Sequence, residues 1–210
     1  VVSAVLTEGG LLGRQISIIT TRLNTSNRDL QRANRAAEAA LSLSRAAEYE
    51  ICLRLGRAAE FRDLETGQHT RRISEMAAAL ATLAGLSQEM TELIRLASPL
   101  HDVGKVGIPD QVLLKPGRLT DQEMQTIRLH TTLGETLLAE AGNFPSLELG
   151  RTIALQHHEK WDGSGYPNGL RGEDIALTAR IVTIVDIFDA LLSERRSEEH
   201  TSELQSRQVI

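Results

Sequence analysis

The stretch His101-Asp102-Val103-Gly104-Lys105 places an imidazole beside a carboxylate, where the apolar run 93–100, predicted to be a helix, comes to its end. Side chains of successive helical residues diverge by about 100°. A task shared by His101 and Asp102 therefore suggests a metal ion held between the two. The same residue types also serve as helix caps and as ordinary hydrogen-bonded pairs, so the dipeptide needs support from the rest of the chain.

Further candidate ligands lie along the same region of the chain. Glu65 precedes His69 by one helical turn, and Asp186 directly follows the apolar run 181–185. A carboxylate in such a run is costly to bury unless it is paired or binds a metal. Mixed imidazole and carboxylate ligands favour first-row divalent metals such as iron or manganese over calcium. The histidines of the chain are His69, His101, His130, His157, His158 and His200.

Length and composition predict one domain with a helical interior and an appendage. The 210 residues are 41% hydrophobic but only 3% aromatic, which favours an Ala/Leu/Ile-rich helical core over a sandwich or barrel. The net charge of −5 argues against a DNA-binding surface. It does not exclude a nucleotide substrate, because bound metal cations add local positive charge. Cys52 is the single cysteine, which excludes a disulfide framework and a thiolate zinc site.

The hydropathy pattern predicts no membrane segment. No apolar run approaches the ~20 residues that span a bilayer. The apolar opening 1–6 is short and is soon followed by Glu8 and Arg14, which does not fit a signal peptide. We therefore expect a soluble, cytoplasmic protein.

The N-terminal quarter is predicted to be a long polar helix behind a break. Gly9-Gly10 is predicted to interrupt the chain, so that residues 1–14 are the tail of a truncated upstream region. From 15 to 62 only Gly56 disfavours a helix. The spacing of a weak heptad fits a helix that pairs with its copy in a homodimer, and equally a solvated helix that packs on its own domain. That heptad consists of Leu23, Leu30, Ala37 and Leu41.

The remaining pattern predicts helices joined by Gly/Pro-rich loops, without convincing strands. Ser87 is a predicted N-cap, and Thr120 with Glu123 forms a predicted capping box that opens the helix carrying His130. Gly85 is predicted to end the helix before Ser87. The predicted helices cover 73–84, 87–100, a segment from 120 through 130, 146 to the His157-His158 doublet, and 175–192.

Taken together, these motifs resemble the HD-GYP domain, a subgroup of the HD metal-dependent phosphohydrolases. The resemblance covers residues 55–196 and implies an all-α, HD-type helical bundle behind a long signalling helix. Members of the subgroup hydrolyse the bacterial second messenger cyclic di-GMP. The matching segments are Glu65-Thr66-Gly67-Gln68-His69, His101-Asp102-Val103-Gly104-Lys105, the helix with His130, and the run from His157-His158-Glu159 through Gly165-Tyr166-Pro167.

The resemblance also implies a set of metal ligands. Glu65 matches the carboxylate that binds an additional ion in members with three metals, so two or three divalent ions, iron or manganese, are expected. The alternative for Glu65 is an exposed first-turn carboxylate favoured by the helix dipole. The implied ligands are Glu65, His69, His101, Asp102, His130, His157, His158 and Asp186.

The implied reaction is hydrolysis of cyclic di-GMP to pGpG, or further to GMP. Adjacent cations neutralise phosphodiester oxygens and lower the pKa of a bridging water. Asp102 suits a bridge between two metals, and Lys105 matches the motif lysine that protonates the leaving ribose oxygen or holds the phosphate. Both are predicted to be catalytic. The loop Gly165-Tyr166-Pro167 is expected to shape the site and to contact GGDEF-type diguanylate cyclase partners, with Tyr166 not catalytic.

The end of the chain departs from the family pattern. Arg195 matches a basic substrate contact, and we predict that it binds phosphate or guanine. Arg196 stands where proline is expected, and Glu198 stands where a second basic residue is expected. Residues 196–206 resemble the in-frame translation of a sequencing-library adapter. We therefore expect an N-terminal linker at 1–54, a C-terminally truncated HD-GYP domain at 55–195, and a non-native tail at 196–210.

Two other functions stay open from the sequence. One is an HD-type phosphohydrolase that acts on another cyclic dinucleotide, such as cyclic GMP-AMP. The other is a catalytically impaired signalling module that binds partners. The main interpretation is a cyclic di-GMP phosphodiesterase that serves as the output domain of a response regulator or sensor.

Overall fold

A computed structural model describes residues 2–61, 68–139 and 144–197, and these residues form an all-α structure. The predicted fold class is therefore confirmed. Within the described residues, short 3₁₀ turns also occur at Ser98–Leu100, Val103–Gly107 and Gly172–Asp174. The α-helices of this part of the chain are α1 (Val2–Glu60), α2 (His69–Leu83), α3 (Gln88–Ala97), α4 (Asp110–Leu113), α5 (Asp121–Arg128), α6 (His130–Leu137), α7 (Pro145–Gln156) and α8 (Leu177–Ser197).

The chain divides into two compact units, Val1–Ala47 and Glu48–Ile210. In the first unit, α1 runs through Gly9-Gly10, so the predicted break there is wrong. Each glycine costs a helix about 1 kcal/mol, but it keeps the backbone N–H that continues the hydrogen-bond ladder. All side chains from 12 to 47 are exposed, including those of the heptad.

The core of the second unit joins helices α2, α3, α7 and α8. Alanines on α2 allow its neighbours to approach closely, and α8 contributes branched side chains that fill the space between them. This core positions the start of α2, which carries His69, the middle of α8, which carries Asp186, and the end of α7, which the His157-His158 doublet follows. Its buried members are Ile73, Ala77, Ala81, Ile94, Ala97, Ile153, Ile181, Val182 and Val185.

Two predicted helix starts are confirmed in detail. The Ser87 hydroxyl accepts a hydrogen bond from the Met90 backbone N–H, which caps α3. At α5 the Thr120 hydroxyl accepts from the Glu123 N–H, while the Glu123 carboxylate accepts from the Thr120 N–H. Each arrangement satisfies backbone donors that a helix start leaves unpaired.

Two helix ends differ from the prediction. The helix predicted to reach residue 100 stops at Ala97, and a 3₁₀ turn follows, because Pro99 lacks the N–H that an α-helix needs there. His130 also does not lie on the capping-box helix. The Leu129 N–H bonds to the Thr126 carbonyl at 3.2 Å, three residues back, so α5 ends and His130 begins α6.

Within the described residues, no helix has both the length and the apolar character needed to cross a bilayer.

Candidate metal centre

Helix ends and turns bring most of the predicted ligands together. His69 begins α2, His130 begins α6, and Asp186 lies in the middle of α8. His101 and Asp102 follow the 3₁₀ turn Ser98–Leu100, and the His157-His158 doublet follows α7. These residues form two groups that could each hold a metal ion.

The first group is one carboxylate with three imidazoles. One ligand atom from each member lies within 4.8 Å of those of the others. Asp102 Oδ1 lies 3.4 Å from His130 Nε2 and 3.7 Å from His157 Nε2. His130 Nε2 and His157 Nε2 are 3.4 Å apart. The members of the three-histidine group are Asp102, His130, His157 and His158.

The second group is formed by His69, His101 and Asp186, whose ligand atoms also lie within 4.8 Å of one another. Asp186 Oδ1 lies 3.5 Å from His69 Nε2 and 4.0 Å from His101 Nε2. Bonds of about 2.0–2.2 Å to a first-row ion set neighbouring ligand atoms about 3–4 Å apart. The spacing in this two-histidine group therefore fits ligands of a common ion.

Asp102 connects the two groups. Its Oδ1 faces the three-histidine group, while its Oδ2 lies 3.3 Å from His101 Nε2 of the two-histidine group. Lys105 Nζ lies 2.9 Å from the same Oδ2. The two oxygens of one carboxylate are thus turned towards different groups, as a bridging ligand requires.

Backbone carbonyls orient three of the buried imidazoles in the same way. His101 Nδ1 lies 2.9 Å from the Ser98 carbonyl oxygen, and His130 Nδ1 lies 2.7 Å from that of Ile127. His157 Nδ1 lies 3.0 Å from the carbonyl oxygen of Ala154. A carbonyl oxygen only accepts, so each Nδ1 carries the proton and each Nε2 presents its lone pair to the centre of the group.

The Asp189 carboxylate orients the His69 ring, as the backbone carbonyls orient the other imidazoles. Asp189 was not predicted from the sequence. Its Oδ2 accepts from His69 Nδ1 at 2.7 Å and from the Arg72 guanidinium at 2.7 Å. Burial raises the pKa of this carboxyl, but the hydrogen bonds from Arg72 and His69 outweigh burial and lower it. The spacing of Asp186 and Asp189 on one helix face is a signal that could have identified this residue.

The charge balance of the centre favours a bound cation. Burial alone would lower the pKa of His101, but the carboxylates of Asp102, Asp186 and Glu60 together outweigh burial and raise the pKa to about 10. Burial raises the pKa of Asp102, yet Lys105 and His101 hold it well below its usual range. Burial lowers the pKa of His130 to about 4, which keeps this imidazole neutral at pH 7. A positive charge is thus stabilised between His101 and the carboxylates, and a proton or a metal ion can supply it.

Orphaned polar atoms test whether these residues fit a metal. Among the described residues, His101 Nε2 and Asp102 Oδ1 are buried and have no hydrogen-bond partner. Leaving such atoms without a partner is costly, and coordination to an ion would satisfy both at once. The donor set of imidazole nitrogens and carboxylate oxygens fits first-row divalent ions.

A further carboxylate near the two-histidine group was missed by the sequence prediction. Glu60, the last residue of α1, is 1% exposed, and its Oε1 lies 3.9 Å from His69 Nε2. It shares a helix face with the buried Leu53 and Gly56, at spacings of seven and four. An acidic residue in line with apolar and small residues was the signal that could have found it.

The loop around Gly165-Tyr166-Pro167 packs on the three-histidine group. The Tyr166 ring stacks on His158 with 4.8 Å between centroids, and the Arg128 guanidinium lies 4.9 Å from the Tyr166 centroid. Burial raises the pKa of the Tyr166 hydroxyl, which holds its proton at neutral pH. A Cβ at position 165 would lie 2.3 Å from the Lys160 backbone nitrogen, so only glycine fits there.

Glu159 holds the same loop through hydrogen bonds to its backbone. This buried carboxylate accepts hydrogen bonds from the backbone N–H groups of Asn168 at 2.7 Å and Leu170 at 2.9 Å. Trp161 lies on the outer side of the loop and is 61% exposed, with the Arg180 guanidinium 5.5 Å from its ring. The loop is thus fixed on its inner side and exposed on its outer side.

Several predicted features lie outside these observations. Glu65 lies outside the described residues, as do 198–210 of the predicted non-native tail. Arg195 lies on α8, but its side chain is outside the described part of the structure. Their predicted roles, and the predicted domain boundaries, stay predictions.

Comparison with known proteins places the chain among characterised relatives. A family profile described as HD domain matches residues 55–209. The chain is 50% identical over 152 residues to the cyclic di-GMP phosphodiesterase response regulator RpfG of Xanthomonas campestris pv. campestris, covering 72% of this chain and 40% of that protein. It is 46% identical over 147 residues to a cyclic di-GMP phosphodiesterase of Thermotoga maritima, covering 70% of this chain and 40% of that protein.

A third relative is named for a different nucleotide. The chain is 42% identical over 161 residues to the 3'3'-cGAMP-specific phosphodiesterase 2 of Vibrio cholerae, covering 77% of this chain and 31% of that protein. The chain therefore spans well under half the length of each of these relatives.

Proposed function

The chain belongs to the HD-domain family, and from that premise we propose that it is a metal-dependent phosphodiesterase that hydrolyses cyclic di-GMP to pGpG, or further to GMP. The family membership confirms the resemblance of the sequence motifs. We also propose that the chain contains the output domain of a response regulator or sensor. A relative named as a response regulator supports that context.

The placement of Asp102 is the observation that carries this proposal. One oxygen faces His130 and His157, and the other faces His101. A carboxylate between two sets of imidazoles is the arrangement that holds two cations close enough to act on one phosphate. Divalent ions held there would supply positive charge to the phosphodiester oxygens and lower the pKa of a nearby water.

The chain's own residues orient the groups and provide a proton. Lys105, whose ammonium lies 2.9 Å from Asp102 Oδ2, holds a phosphate oxygen or donates a proton to the leaving ribose oxygen. The backbone carbonyls behind His101, His130 and His157 keep their Nε2 atoms turned inward. Arg195 is proposed to bind phosphate or guanine.

We propose that the ions are iron or manganese. Three imidazoles and a shared carboxylate suit borderline first-row metals, and the two-histidine group adds a second carboxylate, Asp186. Two ions correspond to the two groups of ligands. A third ion is proposed on the predicted role of Glu65.

A second substrate is supported by the relatives themselves. One is named as specific for 3'3'-cGAMP, and its identity of 42% is close to the values for relatives named for cyclic di-GMP. We therefore keep another cyclic dinucleotide as the alternative substrate. The partner-binding module without catalysis is the alternative to an enzyme.

Two protein partners and a location are also proposed. The exposed outer side of the Gly165-Tyr166-Pro167 loop is available to a GGDEF-type diguanylate cyclase. A second copy of the chain is proposed to pair along α1, where Leu12, Ile16, Ile19 and Leu23 recur at spacings of four, three and four and are all exposed. The cytoplasmic location stays a prediction.

Metal content and turnover, measured together, test the proposed function. The full chain, Asp102→Asn and the control Asp174→Asn are purified without chelator and analysed for iron and manganese. Each protein is then incubated with cyclic di-GMP or 3'3'-cGAMP, and products are separated by chromatography. Asp174 is exposed and lies on the short turn Gly172–Asp174, in neither group of ligands, so it controls for loss of a carboxylate.

We expect at least two ions per chain and turnover of cyclic di-GMP for the unchanged chain and for Asp174→Asn. In Asp102→Asn we expect partial loss of both ions. Turnover should fall by at least about a hundredfold. Bound metal without hydrolysis of either nucleotide would reject the enzyme and favour the partner-binding module. Turnover of 3'3'-cGAMP alone would identify this alternative nucleotide as the substrate.

A further inference from the structure

Glu60 is a buried carboxylate with an unpaired oxygen. Its side chain lies at the end of α1 and is almost completely buried. Oε2 accepts a hydrogen bond from the Thr70 hydroxyl. Within the described residues, Oε1 is buried and has no hydrogen-bond partner. An oxygen of this kind destabilises a folded chain unless something binds it.

The unpaired oxygen lies near His69, one member of the two-histidine group. Oε1 lies 3.9 Å from His69 Nε2, the nitrogen that also lies 3.5 Å from Asp186 Oδ1. His69 Nδ1 is already bonded to Asp189, so Nε2 is the ring nitrogen left to face both carboxylates. At 3.9 Å, Glu60 Oε1 and His69 Nε2 are too far apart for a hydrogen bond but suitably spaced for two ligands of one ion.

We propose that Glu60 Oε1 is a further ligand of the ion held by His69, His101 and Asp186. This inference rests on the proposed metal-dependent function. With it the two-histidine group offers two nitrogens, one oxygen each from Asp186 and Glu60, and Asp102 Oδ2, against three nitrogens and Asp102 Oδ1 in the other group. The two sites then differ in hardness, and the Glu60 site favours manganese or iron(II) more strongly over softer ions.

The proposal explains why an oxygen is left unpaired beside the centre. Thr70 fixes one oxygen of Glu60 and so directs the other towards His69. Both residues are buried and lie on either side of the segment 62–67 that contains Glu65. Glu60 and Glu65 are therefore competing candidates for a carboxylate ligand from this part of the chain.

Glu60→Gln separates ligation from packing. The glutamine carbonyl can still accept the Thr70 hydrogen bond, while its NH₂ group replaces the ligating oxygen and cannot bind a cation. Thr70→Val removes the hydrogen bond but keeps the carboxylate. Glu65→Gln tests the competing residue. Glu50→Gln, an exposed position on α1 paired with Arg54, is the matched control.

The full chain and each variant are stripped with chelator and titrated with Mn²⁺, with free Mn²⁺ followed by electron paramagnetic resonance. Melting temperatures are measured with chelator and with Mn²⁺. We expect Glu60→Gln to bind one Mn²⁺ at least about tenfold more weakly, while Glu50→Gln matches the unchanged chain. In chelator, Glu60→Gln should melt at a similar temperature, because the amide keeps the shape of the side chain and the hydrogen bond from Thr70.

Lower stability in chelator with unchanged Mn²⁺ binding would overturn the proposal, since it would mark a structural role for Glu60. Loss of one Mn²⁺ in Glu65→Gln but not in Glu60→Gln would also overturn it and assign the ligand to Glu65. Thr70→Val should keep the number of bound ions. An unchanged chain that binds no Mn²⁺ would reject the proposed function and this ligand with it, whereas normal binding with Glu60→Gln unaffected would reject the ligand alone.

Discussion

Asp189 determines which nitrogen His69 presents to the two-histidine group. Its carboxylate accepts the Nδ1 proton and is itself held by Arg72. Asp189→Asn keeps the shape but removes the charge that raises the basicity of the ring. We expect binding of one ion to weaken by about 10–100-fold, and the melting temperature in chelator to fall as well, because the buried ion pair with Arg72 is lost. Titration with Mn²⁺ checks this, and unchanged affinity would show that Asp189 does not orient the ring.

Close backbone contacts explain why position 104, in the stretch 101–105, is a glycine. A Cβ at this position would lie 1.9 Å from the His130 carbonyl oxygen and 2.4 Å from the Gly134 nitrogen. Gly104→Ala therefore forces the turn Val103–Gly107 away from the start of α6. We expect a loss of about 1–3 kcal/mol in the free energy of unfolding, with weaker metal binding as His130 is displaced.

Urea unfolding measures that loss, with Gly13→Ala as the control, because a Cβ at position 13 meets no atom within 4 Å. The control should gain stability in its helix, by about 0.5–1 kcal/mol. A Gly104→Ala variant as stable as the unchanged chain would contradict the close approach of the two backbones.

At the scale of an element, the start of α5 should depend on pH through Glu123. Hydrogen bonds from Lys115 and from the Thr120 N–H lower the pKa of this carboxyl from 4.5 to about 2. Its folded pKa is lower than its unfolded pKa, so the stabilisation is complete above pH 4.5 and is lost as the pH falls towards 2.

Glu123→Gln isolates this charge, because glutamine keeps the capping-box hydrogen bond. We expect the unchanged chain to melt at a higher temperature than the variant at pH 7, and the difference to shrink as the pH falls through that range. Measuring both proteins in chelator removes the contribution of bound metal. A difference that does not change with pH would contradict the role of the Glu123 charge.

The caps could be predicted because they are written in neighbouring residues. Ser87 and Thr120 lie three positions from the groups they bind, so the local pattern is sufficient. The 3₁₀ turn at Ser98–Leu100 could also have been predicted, because Pro99 lacks the N–H that continues an α-helix. The family could be predicted because the histidine and aspartate motifs from His101 to His158 occur together and can be read directly from the sequence.

Glu60, Asp189 and Glu159 could not be predicted in the same way. Asp189 faces His69 from 120 residues along the chain. Glu60 faces the same ring, and Glu159 binds the backbone of the loop that follows it, at distances that no helix or turn pattern specifies. Their importance lies in burial and in the direction of one oxygen, which depend on how helices pack. A sequence pattern records that a carboxylate is present but not that it lies in the interior.

For the whole molecule, the exposed part of α1 predicts pairing with a second copy. Leu23 and Leu30 are 64% and 59% exposed, and a lone helix with such a face gains little from packing. We expect light scattering to give about twice the chain mass of 23.0 kDa. The double variant Leu23→Lys, Leu30→Lys should give the single mass.

The matched control adds the same charge beside the seam, at Asn24→Lys and Gln31→Lys, and should stay at the double mass. An unchanged chain of single mass would contradict the homodimer. A double mass that persists in the Leu23 and Leu30 variant would mean that the copies pair elsewhere.

The position of Trp161 gives the molecule a built-in optical reporter. It is the single tryptophan of the chain, it lies in the loop anchored by Glu159, and its ring is largely exposed. Intrinsic fluorescence excited at the red edge therefore comes from this loop alone. A nucleotide or a protein that reaches the loop will change the emission, so occupancy can be followed in real time without a dye.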